Sequence, residues 1–263
     1  MNAQPTLAAR CLAEGLGTGL LVCAVVGSGI AAQQLSPDEV GLQLLESSTA
    51  TVLALVALIF TFGSVSGAHF NPAVTLAERL TAKIDTRVAG AYIAAQITGG
   101  CLGAVAANVM FELSAIDWSS TDRATGAHAL AEVIATFGLL TMIFGVVRSG
   151  RAAAVPVAVA GYIGAAYWFT SSTSFANPAV TLARTLTDSF AGIAPASLPL
   201  FIGAQLVGAV IAVAVARVLF PEPEPSLEEV LDARSQLSEP RPTPRPADGS
   251  QPPAPGVRGH VLD

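Results

Sequence analysis

The chain has 263 residues, of which 52% are apolar and only 12% charged, against roughly 25% charged in an ordinary soluble domain. So little ionic surface cannot keep a globule of this size in water, and the composition points to a membrane protein. The net charge of −6 does not contradict this, because eight of the 19 acidic residues lie beyond Phe220 and no basic patch of the nucleic-acid-binding kind is present.

The first segment, LAARCLAEGLGTGLLVCAVVGSGIAA, imitates a signal peptide, with Arg10 as its charged start. Glu14 and Thr18 recur in a matching place later in the chain, which marks the segment as working structure instead. A helix needs roughly 20 mostly apolar residues to cross a bilayer, and six stretches qualify: about 9 to 32, 47 to 67, 87 to 113, 127 to 147, 152 to 170 and 198 to 219. All are rich in Gly and Ala, which allow close helix approach in lipid. With a cytoplasmic N-terminus, the inside segments carry Arg10, Arg79, Lys83, Arg87, Arg148, Arg151 and Arg217, and the outside segments only Arg123 and Arg184. That positive-inside bias places both termini in the cytoplasm. Cys11, Cys23 and Cys101 have neither metal-ligand spacing nor an even count, so they read as small packing residues, and no metal or cofactor is expected. From 221 to 263 the chain carries ten of its 17 prolines, alternating with charge. Such a segment reads as a disordered cytoplasmic tail, with a short helix around Ser226 to Leu237.

The segment from 1 to 220 is built twice. AEGLGT at Ala13 to Thr18 matches AEVIAT at Ala131 to Thr136; NPAVTLA occurs at Asn71 and again at Asn177; AQITG at Ala95 to Gly99 matches AQLVG at Ala204 to Gly208. Repeat one covers about 8 to 113 and repeat two about 127 to 220. Three spanning helices per repeat is an odd number, so the second repeat enters the membrane from the opposite side. The result is an inverted repeat with its solute site at the midplane.

Neither NPAVTLA segment is long enough to span. Asn favours the N-cap and Pro the first helical position, so Asn71-Pro72-Ala73 and Asn177-Pro178-Ala179 read as the starts of two re-entrant half-helices. By inversion their N-termini meet in mid-membrane, where irregular backbone survives only if buried in protein or facing a water-filled cavity. Each Asn oxygen caps its own helix while the NH2 group is expected to point into the lumen, and the positive helix ends repel cations. Neutral hydroxylic molecules pass such a site and ions do not. Glu14 and Glu132 are intramembrane acids and read as anchors for the loops that lead to the half-helices. Gln96 and Gln205 read equally as interhelical glue or as pore lining, His69 as a hydrogen-bonded structural histidine or a gate, and His128 as an ordinary residue at a helix start.

With these motifs in view, residues 8 to 220 resemble the major intrinsic protein family, the aquaporins and aquaglyceroporins, through AEGLGT, SGAHFNPAVT, AEVIAT and ANPAVT. The resemblance implies an all-α membrane fold of six transmembrane helices plus two half-helices, with one pore per subunit. It also implies a homotetramer in the plasma (inner) membrane, facilitated diffusion and no enzymatic activity. In most of the family an arginine directly follows the second box and forms a filter with three other residues; here that position is Val180, while Arg184 lies four residues further on. Ungapped counting places the other filter positions at Thr51, Ala165 and Ser174, with Gly164 as the alternative to Ala165. Small groups in place of an aromatic, a histidine and an arginine imply a wide, weakly polar filter. It would pass uncharged solutes larger than water, such as glycerol or arsenite, and Val at this position resembles the arsenic-associated bacterial members. The alternatives are a water-selective aquaporin and, more remotely, an ion-coupled secondary transporter. A hydrolase built on Ser66 and His69 lacks a nucleophile elbow and an orienting acid.

Overall fold

The computed structural model describes residues 5–221, and within them every regular element is helical. The Pro-rich tail and its expected short helix lie outside the described residues, apart from Pro221. In chain order the helices are α1 (Leu7–Leu35), α2 (Val40–Ser66), α3 (Pro72–Leu80), α4 (Thr86–Met110), α5 (Gly126–Arg148), α6 (Val155–Phe169), α7 (Pro178–Ala183) and α8 (Leu198–Leu219). Six spans are long and apolar enough to cross a membrane, while α3 and α7 are the short helices that open at Pro72 and Pro178. A single tight turn, Arg184–Leu186, continues α7.

Helix starts follow the local chemistry. Thr6, Asp85 and Thr125 accept hydrogen bonds from the backbone of Ala9, Val88 and His128, so α1, α4 and α5 each begin at a side-chain cap. The second spanning helix begins at Val40, seven residues before the apolar stretch at 47 suggested. Its polar first turns have partners there: Gln43 Nε2 donates to the carbonyls of Ser36 and Pro37 at 2.8 and 3.2 Å, and Ser36 Oγ donates to Glu46 Oε1 at 2.9 Å. These bonds tie the start of α2 to the end of α1.

The duplication in sequence is a duplication in packing. Helix α1 packs on α2 and α4 as α5 packs on α6 and α8, and the short helices α3 and α7 pack on α4 and α8 of their own repeats. Across the pseudo-symmetry, α2 meets α6, α3 meets α8, α7 meets α4, and the two short helices touch each other. The main core lies between the halves, with Val22, Val26, Ala104, Ala107, Ala135, Ala160, Ala176 and Ala183 almost wholly buried. Cys23 and Cys101 pack against it. Leu12, Leu16 and Leu20 form an exposed stripe on α1, suited to contact with lipid.

Glycine sets the spacing of the tightest crossing. A Cβ on Gly99 or Gly103 would overlap the carbonyl oxygen of Gly15 or Gly19 on α1, and a Cβ on Gly208, the counterpart of Gly99, would stand 2.6 Å from the Val133 carbonyl of α5. Backbone that close leaves no room for a side chain. Gly99→Val is therefore expected to destabilise the fold by about 1–3 kcal/mol, the usual range for overpacking, seen as a lower thermal unfolding midpoint in detergent. Gly90→Val on the same helix, where a Cβ meets open space, should leave that midpoint much less changed.

Candidate functional site

The two loops before α3 and α7 fold alike because each is organised by a buried carboxylate. Glu14 Oε1 accepts from Ser66 Oγ (2.6 Å) and His69 N (3.0 Å), and its Oε2 accepts from Phe70 N (2.7 Å) and Gln96 Nε2 (2.8 Å). Glu132 repeats the pattern with Ser172 Oγ (2.6 Å), Phe175 N (2.9 Å), Ala176 N (2.8 Å) and Gln205 Nε2 (2.6 Å). Four donors per acid compensate for burying it. Gln96 and Gln205 are fully buried and also donate to Thr75 Oγ1 and Thr181 Oγ1 at 2.9 and 2.8 Å. They are interhelical glue and stand away from the cavity wall.

Both loops carry residues in the left-handed region at matching places: Ala68 and Phe70 have φ of 49° and 48°, and Ser174 and Ala176 have 52° and 48°. Each such non-glycine residue costs on the order of 1–3 kcal/mol. The carboxylates hold the N–H groups of Phe70 and Ala176 in place, while those of Ala68 and Ser174 donate to the hydroxyls of Ser66 and Ser172. The twist turns the carbonyls of Phe70 and Ala176 toward the opposite repeat, where Asn177 Nδ2 donates to Phe70 O and Asn71 Nδ2 to Ala176 O, both at 2.8 Å. Meanwhile Asn71 Oδ1 accepts from Ala73 N at 2.8 Å, and Asn177 Oδ1 accepts from Ala179 N and Val180 N at 3.0 and 3.2 Å, with Pro72 and Pro178 at the first helical positions. One hydrogen of each amide therefore binds a carbonyl across the midplane and does not point into the lumen. The second hydrogen of each NH2 group remains, and both asparagines line the same cavity.

That cavity has a volume of about 600 Å³ and runs from Glu78, Lys83, Val147 and Pro156 past both asparagines to Thr51, Tyr167, Val180 and Arg184. At the first end Lys83 Nζ lies 3.3 Å from Glu78 Oε1 and above the Phe144 ring. Bonds from Arg217 to the Leu80 carbonyl and from Arg148 to the Phe220 carbonyl gather the basic residues at that same end. His69 lines the wall with its ring nitrogen 3.1 Å from Thr75 Oγ1 and its ring edge-on to Tyr92. Ser66 and His69, the pair weighed for a hydrolase, spend their side-chain bonds on different partners. His128 sits at the start of α5, its Nδ1 2.8 Å from the Arg123 carbonyl.

At the far end three of the four expected filter residues, Thr51, Ser174 and Val180, line the cavity and are buried. Ala165 does not line it: it is exposed on the outward side of α6, and Gly164 packs against Val52. The face of α6 that meets the lumen steps through Pro156, Val159, Ile163 and Tyr167, the three-to-four spacing of one helical stripe. A residue two positions past Ile163 must point elsewhere. Tyr167 thus stands where Ala165 was expected, and its hydroxyl lies 3.1 Å from Thr51 Oγ1 on α2. Phe175 and Arg184 also reach the wall, with the Arg184 guanidinium carbon 3.4 Å from the Phe175 ring centroid and its Nε donating to the Ala191 carbonyl. The linker between the repeats closes over this end, where Arg123 donates to the carbonyls of Gly192 and Phe190 at 3.0 and 3.3 Å. Burial lowers the Arg123 pKa, while the Ala124 N–H and the Ser197 hydroxyl hold the exposed Asp122 carboxyl below its ordinary range.

A paired-asparagine midplane between two inverted three-helix repeats, joined to one cavity, is the feature to set beside known proteins. The profile of the major intrinsic protein family matches residues 2–174. Aquaglyceroporin AqpS of Rhizobium meliloti (strain 1021) is 48% identical over 223 residues, spanning 85% of this chain and 95% of its own. The chain belongs to the major intrinsic protein family. Its members are membrane channels that pass small neutral solutes. Aquaporin Z of Rhodopseudomonas palustris (strain ATCC BAA-98 / CGA009) is 32% identical over 238 residues, covering 83% of this chain and 96% of that one. Among solved structures, the aquaglyceroporin from Plasmodium falciparum superposes with a TM-score of 0.61 at 21% identity, over 82% of this chain and 98% of that one, a likeness of fold.

Glu14→Gln replaces an acceptor by an NH2 donor facing backbone N–H groups. Each donor left unpaired costs about 1–3 kcal/mol, so Glu14→Gln and Glu132→Gln should each lower the unfolding midpoint markedly and abolish solute flux together with it. Measuring both quantities on the same reconstituted sample checks this.

Proposed function

We propose that this channel passes small uncharged solutes by passive diffusion and is wider than a water-only pore, carrying polyols such as glycerol, neutral metalloid hydroxides such as arsenous acid, and water. The observation that carries the reading is Val180. The residue that directly follows the second box is a buried valine on the cavity wall, so carbon stands at that position, and the nearby guanidinium lies against Phe175 with its Nε bound to the Ala191 carbonyl. The name of the Rhizobium relative, an aquaglyceroporin, supports the same solute class.

The paired asparagines supply the orienting step. A solute in single file meets one free amide hydrogen from each side of the midplane, while Leu21, Val25, Leu55 and Ile59 give the wall an apolar side. Hydroxyl oxygens accept those hydrogens and carbon slides along the apolar side, whereas a bare ion would lose hydration that the wall does not replace. The glutamates take no part in transport, since every oxygen of Glu14 and Glu132 is occupied by loop donors. That leaves neither of these two acids free to couple transport to an ion. The channel works as a homotetramer in the cell membrane with both termini in the cytoplasm, a sidedness supported by the gathering of basic residues at the Glu78–Lys83 end.

A second reading, a water-only pore, is favoured by the Thr51–Tyr167 contact, which joins two wall residues of adjacent helices at the outer end and occupies both hydroxyls. A neutral hydrogen bond of that kind is worth only about 0.5–1.5 kcal/mol net, and a solute hydroxyl can exchange for it. Stopped-flow light scattering on proteoliposomes separates the two: the proposal expects glycerol and arsenous acid to enter several-fold faster than into protein-free vesicles, and swelling with water alone would support the second reading. Val180→Arg should cut glycerol and arsenous acid flux at least fivefold while sparing water; equal loss of both would contradict the place given to Val180.

A further inference from the structure

The outer end of the cavity holds hydrogen-bonding and charge capacity that the protein itself leaves unused. Arg184 is only 3% exposed, yet it lines the cavity and forms no ion pair among the described residues. A guanidinium has five N–H donors, and the one bond it makes within the described residues is from Nε to Ala191. Ser174 Oγ is likewise buried on the cavity wall with no partner. Buried polar groups are normally satisfied, so both point to something that occupies the lumen.

The repeat makes the asymmetry plain. Arg184 stands seven residues after Asn177, as Glu78 stands seven after Asn71. At the inner mouth Glu78 is paired with Lys83, but at the outer mouth the charge of Arg184 lines the cavity without a counter-ion among the described residues. Arg184 follows Val180 by four residues, one helical turn, and therefore shares its face of the half-helix. Its planar group is held flat against the Phe175 ring, itself packed edge-on to Phe201 and approached from further off by Arg123 at 5.4 Å.

We propose that Arg184 is the specificity-determining residue of the outer constriction: from one turn beyond Val180 it keeps a fixed positive charge on the lumen that rejects cations. Together with Ser174 Oγ it also docks solutes bearing several hydroxyls. The stacking on Phe175 is what keeps the pore wide, because it parks the guanidinium against the wall while leaving its charge in place. This inference rests on the reading of the cavity as a solute pore and assigns its charge barrier.

The test is made on the full chain in proteoliposomes, with water, glycerol and potassium fluxes read on each preparation. Arg184→Gln should raise potassium flux at least tenfold with water flux within twofold of the parent, and Arg184→Lys should stay as cation-tight as the parent. Ser174→Val should lower the glycerol-to-water ratio about threefold. Phe175→Leu provides a route that leaves the arginine in place should Arg184→Gln fail to fold: the released guanidinium is expected to swing inward and cut glycerol flux several-fold relative to water, with cation exclusion kept. Cation-tight Arg184→Gln channels, or a Phe175→Leu channel with an unchanged glycerol-to-water ratio, would overturn the assignment. A parent channel that passes water but no glycerol would instead refute the wide-pore reading, and the potassium arm would still decide the role of Arg184.

Discussion

Two amide-to-carbonyl hydrogen bonds crossing the midplane, Asn71 to Ala176 and Asn177 to Phe70, hold the molecule in its working form. They exist only if both carbonyls are turned toward the opposite repeat, and that orientation requires left-handed backbone at Phe70 and Ala176. The strain is tolerated because Glu14 and Glu132 each bind the N–H of those residues. Carboxylate, strained loop, half-helix cap and cross-repeat bond thus form one chain of dependence in each half. Inversion then fits the two chains to one another. The lumen is what remains between them, with one amide hydrogen on each side still available.

The same duplication also shows where the halves were free to diverge. The aromatic pairs are kept, His69 with Tyr92 and Phe175 with Phe201, so the loops rest on equivalent supports. Charge is not kept. Glu78 is matched with Lys83 at one mouth, while its counterpart Arg184 forms no ion pair among the described residues at the other. A channel whose two mouths are chemically distinct can filter at one and simply admit at the other, and the midplane can remain nearly symmetric.

Much of this was legible in the sequence because it was written twice. The seven-letter repeat at Asn71 and Asn177, the acids Glu14 and Glu132 and the six apolar stretches each had a partner at a matching place, and a repeated oddity in an apolar context has few physical explanations. What escaped the sequence lay where no repeat or residue type signals the geometry. Ala68, Phe70, Ser174 and Ala176 are left-handed without being glycine, so only the carboxylate network betrays them. Half of each asparagine amide is spent across the midplane, because the reach of a side chain to a carbonyl 105 positions away is a tertiary fact. Counting back from Asn177 to Ala165 assumed a loop length that the chain does not have. The stripe Pro156, Val159, Ile163, Tyr167 would have given the right face, since apolar positions three and four apart identify the side of a helix more safely than distance from a motif.

The central claim is that both asparagines offer a free hydrogen to a wet, continuous lumen. A diffraction experiment at a resolution that reveals ordered solvent tests it most directly. The account predicts a file of water or glycerol oxygens through the cavity, one within about 3 Å of each amide nitrogen, the ordinary N–H···O distance. A dry cavity, or amides with both hydrogens bound to protein, would contradict it.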